Sequence, residues 1–461
     1  MHRLALLLLL SFPLSAQVPP AGEWFATLDL GVQQLPLELS LAQEGQAWTG
    51  TLKSPAQSPT PMAMETVAVT QDSLLFALPS LGVRYRGTWS ADSISGTFSQ
   101  GPFQAPLSFY REKPEAASQV PKERPQEPTE FPYRREEVIF TGGAEGVELA
   151  GELTLPEEEA PRAGIVLVSG SGPQDRNEDL GPAIGHRPFL VLSDYLTRRG
   201  YAVLRYDDRG VAASTGDFAG ATSADFADDA AAAYRFLRER LPEGTPTGLA
   251  GHSEGGLILP LVAEEVADID FLVLLAAPGV PIDELMAEQR RLVGQGESPL
   301  EPVQLAITAY LKLHPGQKEH VFRTGLTDTI IATIPALPEA IRASITDPAT
   351  FAKSFVDVYG GPWMRYFFAY DPAPALRGLR MPVLALNGEK DVQVSPANLT
   401  AIADILAAAG NEDVRTHLIA NANHLLQPAG TGLPAEYGEI ATTIDPAVLE
   451  LIGDWLDEHN P

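Results

Sequence analysis

The chain has 461 residues, of which 44% are hydrophobic and 20% charged; it is too long for one ordinary domain, and the composition excludes a disordered, collagen-like or coiled-coil protein. With 60 acidic residues against 32 basic ones the net charge is −28, a balance that disfavours nucleic acid and anionic membrane surfaces as partners. There is no cysteine, so disulfides, thiolate zinc sites, a cysteine nucleophile and a lipid-modified N-terminal cysteine are excluded.

In chain order, residues 1–16 place Arg3 before the apolar run 4–10 and the small residues Ser15 and Ala16. This pattern predicts a signal peptide cleaved after Ala16 and an exported, periplasmic or secreted, mature chain. No later stretch is apolar for the ~18 residues that a membrane-spanning helix needs, so no integral membrane segment is expected in the mature chain. Residues 17–111 predict short strands at 24–30, 35–41, 47–52, 66–69, 83–89, 94–98 and 107–110. Leu35, Leu37, Leu39 and Leu41 alternate as on a half-buried strand. Gly-Thr pairs at Gly50, Gly87 and Gly96 hint at repeated hairpins, and the region reads as a small antiparallel sandwich or partial barrel. Residues 112–132 are dominated by Pro, Glu and Lys and read as an extended linker.

From residue 133 to 461 the texture changes. Continuous apolar runs at 165–168, 202–204, 271–275 and 383–386 fit parallel strands buried on both faces. Helical patterns lie between them; one opens with Thr222 and Asp225 as a capping box and turns Phe226, Ala230, Ala233 and Leu237 to one side. The alternation predicts an α/β fold with a mostly parallel central sheet flanked by helices. Residues 281–375 interrupt it as a helical insertion, expected to cap a site. Its aromatic residues Phe351, Phe355, Tyr359, Trp363, Tyr366, Phe367 and Phe368 are candidate pocket lining, with cap core as the simpler reading.

Residues 251–255 read Gly-His-Ser-Glu-Gly, between a strand pattern and a helix pattern. Such a setting holds a serine hydroxyl clear of the sheet on a sharp turn, with glycines on both sides for room, so Ser253 is the expected nucleophile. Ser214 is a rival, but it follows a strand without entering a helix. A serine needs a base, and the chain order in such folds is Ser, acid, His. Of the histidines after Ser253, His314 and His320 fall in the insertion, His417 inside a strand and His459 in the C-terminal tail, which leaves His424. Asp391, in the loop after residues 383–386, is the expected acid, with Glu389 as runner-up. The oxyanion donors expected are the amides of Glu254 and of Ser171, with Gly172 next to it. Asp207, Asp208 and Arg209 read as an ion-pair network that shapes a loop.

The segments SGSGPQDRNE, YDDRG with STG, GHSEGG, NGEKDVQV and NANH together resemble the α/β-hydrolase superfamily, and in particular exported bacterial esterases of the EstD type, which also carry a β-rich N-terminal extension. The resemblance implies an α/β-hydrolase fold with a helical cap insertion, preceded by a small antiparallel β domain. It also implies hydrolysis of a small-molecule carboxylic ester through the triad Ser253, Asp391 and His424, with no cofactor and no metal. A peptidase, an acyltransferase or thioesterase on the same scaffold, or a non-catalytic ligand binder, are the other readings. One departure from the pattern is that Val211, Ala212 and Ala213 stand where a second glycine usually follows YDDRG, which predicts a stiffer loop there.

Overall fold

The structure, a computed structural model, describes residues 20–460 apart from 30–33, 46, 55–60, 65, 71, 79–82, 101–102, 114–123, 158–159, 295–297 and 346. The expected export signal at 1–16 lies outside the described residues. The chain divides into two compact units, Met1–Gln119 and Val120–Pro461.

The first unit is one antiparallel sheet. Its strands are β1 (Gly22–Asp29), β2 (Gln34–Glu44), β3 (Ala47–Lys53), β4 (Met62–Ala63), β5 (Thr66–Val69), β6 (Ser73–Leu78), β7 (Val83–Trp89), β8 (Ser93–Gln100) and β9 (Phe103–Tyr110). They lie in the order β4-β3-β2-β1-β9-β8-β7-β6-β5. Laid flat at ~4.8 Å per strand, nine strands would span roughly 40 Å. Yet Trp24, Leu39, Leu52, Leu74, Phe76, Tyr85 and Phe109, from six different strands, share one buried cluster, so the sheet is rolled. The partial-barrel expectation holds over the sandwich. Period-2 alternation is cleanest in β7, where Val83, Tyr85, Gly87 and Trp89 are buried and Arg84, Arg86 and Thr88 exposed. Strand β6 was not expected, because its run SLLFAL is apolar without alternation. The Gly-Thr pairs do not mark hairpin turns: Gly87 and Gly96 face each other in mid-strand, and the Tyr85 ring occupies the space above Gly87.

The second unit is built on β10 (Arg134–Thr141), β11 (Glu148–Leu155), β12 (Gly164–Val168), β13 (Ala202–Tyr206), β14 (Thr247–His252), β15 (Leu272–Leu275), β16 (Val383–Gly388) and β17 (Val414–Ile419). The order is β10-β11-β13-β12-β14-β15-β16-β17. β10 and β11 pair antiparallel, β11 meets β13 antiparallel, and the rest of the sheet is parallel. This is the α/β-hydrolase arrangement. Strands β12 to β16 are buried along their whole length, as their apolar runs require. Helices Ser223–Arg240, Glu254–Glu265 and Ala397–Ala408 cover one face and Pro188–Arg198 and Pro446–His459 the other. The capping box forms, with the Asp225 carboxylate taking the Thr222 N–H at 2.8 Å. His459 is the last residue of a helix, not a frayed tail.

Between β15 and β16 the cap runs through helices Ile282–Val293, Glu301–Leu313, Glu319–Thr333, Glu339–Ser344, Pro348–Tyr359, Pro362–Ala369 and Ala373–Leu376. It has its own core, including Val303, Ile307, Phe322, Leu326, Val356 and Phe368. The second half of the expected linker is not a free spacer. Arg124 donates to the carbonyls of Gly185, Ile440 and Gly438 at 3.0, 2.7 and 3.0 Å, and also to that of Ile184. Gln126 bonds Thr443 and Ile444, and Glu127 pairs with Arg187. Composition alone cannot distinguish a polar spacer from a polar strap whose partners are backbone carbonyls.

Candidate active site

β13 and β14 lie on opposite sides of β12, so the chain reverses direction across the sheet there. The crevice past the strand ends at such a point is where open α/β sheets hold ligands. The loops after β12 and β14 meet in it. Ser253 sits on the tip between β14 and the helix Glu254–Glu265 with φ 53° and ψ −117°, a conformation costly for a side-chain residue. Its N–H donates to Leu275 O at 2.8 Å, which pins the turn to β15. A Cβ on Gly255 would stand 2.1 Å from Val168 O, and one on Gly251 would stand 2.4 Å from the Gly255 backbone. Glycine is therefore obligatory on both sides of the serine.

His424 follows β17 in a loop held by the Asn423 side chain, whose oxygen accepts the N–H groups of Leu425 and Gln427 at 3.0 Å each. His424 Nε2 lies 3.1 Å from Ser253 Oγ and Nδ1 2.7 Å from Asp391 Oδ2. With Nδ1 donating to the Asp391 carboxylate, Nε2 is the ring nitrogen that can accept from the serine hydroxyl. Asp391 Oδ1 takes the N–H groups of Gln393 and Val394, each at 2.8 Å. Ser253, His424 and Asp391 thus come together in one hydrogen-bonded line. Glu389 does not join it: its carboxylate faces solvent and accepts the Asn421 N–H. Ser214 is buried elsewhere, donating to Asp207 O at 2.7 Å.

The loop after β12 lines the same cavity as this serine. The Gly170 N–H is taken by Glu178 and the Gln174 N–H by Asp208, and Pro173 has none. The amides of Ser171 and Gly172 are left without a protein acceptor among the described residues, as is that of Glu254 at the helix start. Gly170 packs on the Ser253 side chain. The acidic cluster behind the loop is not one ion-pair network. Arg176 pairs with Asp207 and Arg209 with Asp229. Among the described residues Asp208 meets no cation; it accepts from Ser169 Oγ and Gln174 N–H at 3.0 Å each. Burial pushes its carboxyl up to about 7.

Beyond its amide, Glu254 is a hub through its side chain, which its place in the sequence does not mark. Burial raises its pKa, opposed by hydrogen bonds from Ser223, Trp363 and Ser171. The Ser223 Oγ and Trp363 Nε1 bonds measure 2.6 and 2.7 Å, so the carboxylate ties the helix after Ser253 to the cap. A cavity of about 410 Å³ opens beside Ser253 and His424, with walls that include Leu285, Met286, Trp363, Phe367 and Tyr437. Of the seven cap aromatics only Trp363 and Phe367 line it; Phe351, Phe355, Tyr359 and Phe368 pack in the cap core. Glu178 and His252 also lie at this wall. Nothing in their spacing marks them, because Glu178 reaches His252 only through a backbone turn with φ 53°. Among the described residues no three His, Asp or Glu side chains group as metal ligands, and no helix is long and apolar enough to cross a membrane.

The family model described as serine aminopeptidase, S33, matches residues 188–427. Esterase EstD of Thermotoga maritima is 27% identical over 312 residues, which are 67% of this chain and 65% of that protein. The chain therefore spans about 65% of the length of the curated relative it matches. Solved structures that resemble it include an esterase of Pyrococcus furiosus, 15% identical with TM-score 0.43 over 71% of this chain and 90% of that one. Another is the proline iminopeptidase of Mycobacterium smegmatis, 16% identical with TM-score 0.43 over 70% of this chain and 99% of that one. The family match takes in more than half of the chain and runs from the first helix behind the sheet, through the serine turn and the cap, to the loop of His424. The chain belongs to the serine aminopeptidase S33 family of α/β hydrolases.

Proposed function

We propose that the protein is a serine carboxylesterase. The observation that carries this reading is the hydrogen-bonded line from Ser253 Oγ through His424 to Asp391 at 3.1 and 2.7 Å. In the proposed reaction His424 Nε2 takes the hydroxyl proton as Ser253 Oγ attacks the ester carbonyl. The amides of Glu254 and Ser171 stabilise the oxyanion. The tetrahedral intermediate collapses to an acyl-enzyme while His424 returns the proton to the departing alcohol, and water then releases the acid by the same route. Asp391 holds the tautomer and offsets the imidazolium charge.

The cavity favours an ester over a peptide N-terminus. The cap presents Leu285, Met286, Gln289, Trp363 and Phe367 to it, apolar or neutral groups that suit an uncharged substrate, and the two carboxylates of the wall, Glu178 and Glu254, belong to the hydrolase body and are already bonded to His252 and to Ser223 and Trp363. The name of the EstD relative points the same way. The test compares the purified protein with Ser253→Ala on p-nitrophenyl butyrate and on aminoacyl p-nitroanilides. The expected outcome is ester hydrolysis that falls at least about a thousandfold in the variant. A folded parent that cleaves only the anilides would overturn the ester assignment.

We also propose that the protein is exported. The pattern of residues 1–16 supports this, and the expected mature N-terminus is Gln17. Mass spectrometry of the periplasmic and secreted fractions checks it.

A further inference from the structure

A line of hydrogen bonds that the proposed reaction does not use runs past the serine turn. The Gly170 N–H donates to Glu178 Oε1 at 2.9 Å. The same oxygen lies 2.8 Å from His252 Nδ1, and His252 Nε2 lies 3.0 Å from the carbonyl oxygen of His424. Gly170 precedes the proposed oxyanion residue Ser171, and His424 is the proposed base. The line therefore joins the oxyanion loop to the base loop through the residue immediately before the nucleophile. Glu178 and His252 are 2% and 8% exposed.

The chemistry of the partners sets the proton count. A carboxylate and a backbone carbonyl both accept, whereas neutral imidazole offers a single N–H. Only the imidazolium donates to both. Among the described residues Glu178 Oε2 is buried without a hydrogen-bond partner, so a neutral pair would need its proton on Oε1, the oxygen that already accepts the Gly170 N–H, and would leave His252 Nδ1 unprotonated. We propose that Glu178 and His252 form a buried carboxylate–imidazolium pair that positions the oxyanion loop and the His424 loop against each other around Ser253. Both are positioning residues, since neither is placed at the reacting atoms. The catalytic readout of this proposal rests on the esterase reading, but the charge state of the pair does not.

The titratable groups that face His252 are Glu178, the His424 ring at a centroid distance of 4.9 Å, and Asp391. Burial works against a charged His252. The Glu178 carboxylate, the His424 carbonyl and Asp391 outweigh it and hold the pKa above the ordinary histidine value. A raised pKa means that the pair is intact below the ordinary value and is lost as pH rises through the higher one. Loss of the proton frees one of the two loops. The pair should therefore contribute an alkaline limb to kcat.

Two measurements test this on the full mature chain. The first is a two-bond proton–nitrogen spectrum of protein labelled with ¹⁵N-histidine, with His252 assigned by comparison with His252→Gln. Both ring nitrogens of His252 should be protonated at pH 7; one unprotonated ring nitrogen there overturns the proposal. The second is the pH profile of kcat for Glu178→Gln on p-nitrophenyl butyrate, since glutamine keeps the shape and removes the charge. Misplacement of the loops should lower kcat about 10- to 100-fold with KM within about twofold. It should also move the alkaline limb to lower pH. An unchanged limb, or an equal loss at every pH, sinks the positioning role. If Glu178→Gln fails to fold, the nitrogen spectrum of the parent decides alone. Ser253→Ala, run alongside, separates the readings: undiminished activity there overturns the esterase reading and leaves the spectrum as the test of the pair.

Discussion

Among the residues with side chains that hold a positive φ, Ser253 and Ala212 do so for different reasons. Ser253, at φ 53°, has its strain balanced by glycines that let the turn close and by the bond to Leu275. Ala212, at φ 46°, has no such role: it is exposed and sits where the family pattern usually offers a glycine. An L side chain in this region costs ~1–2 kcal/mol, and glycine gives part of that back as chain entropy. Ala212→Gly should therefore raise stability by up to about 1 kcal/mol with kcat unchanged. Urea unfolding checks it, and a lowered midpoint would contradict the strain argument. The absent glycine is legible in the sequence as stiffness; the positive φ that makes it costly is visible only in the fold.

At the scale of elements, the cap and the hydrolase body meet at the Trp363–Glu254 bond. Helix Pro362–Ala369 brings the indole to a carboxylate one residue past Ser253. Trp363→Phe keeps an aromatic wall and removes the donor. The Glu254 carboxylate then loses one of the bonds that oppose its desolvation, so its pKa should rise further. A hydrogen bond to a charged group contributes ~1.5–3 kcal/mol, so kcat/KM should fall by roughly 10- to 100-fold if the bond persists in the transition state. Steady-state kinetics decide, and an unchanged kcat/KM removes the cap from the site's support. The aromatic stretch was legible as a feature of the cap, but not the division of labour within it. Trp363 and Phe367 stack at 4.7 Å and face the cavity, whereas Phe351 and Phe355 pack edge to face in the cap core. The face that each residue presents depends on where its helix docks.

At the scale of the whole molecule, the strap at 124–127 belongs with the hydrolase unit. Ile184 and Tyr437 line the cavity, and Arg124 bonds the carbonyls of Ile184 and Gly438 beside them. A chain starting at Val120 keeps those bonds; one starting at Tyr133 loses them together with those of Gln126 and Glu127. The shorter form should be less stable by at least about 3 kcal/mol, counting one net charged hydrogen bond at ~1.5–3 kcal/mol and neutral ones at ~1. Both forms lack the β-rich unit, so their comparison isolates residues 120–132. Equal unfolding midpoints would return that segment to the role of a spacer.

The sequence by itself determined the parts whose signal is local. Apolar runs with no polar alternation specify strands buried on both faces, and strand β7 declares its alternation residue by residue. Gly-His-Ser-Glu-Gly allows only a tight turn, because the steric demand lies within five residues. Ser253, His424 and Asp391 could be chosen because strand ends are legible and each stands just past one. Strand β6, the strap and the link between Glu178 and His252 were decided by the tertiary structure. Each depends on a partner distant in sequence: the rolled sheet for β6, backbone carbonyls more than 300 residues away for part of the strap, and a positive-φ turn that aims Glu178 at a histidine 74 residues on. Local propensity carries no record of such partners, and burial that satisfies hydrogen bonds at long range exists only once the chain has folded.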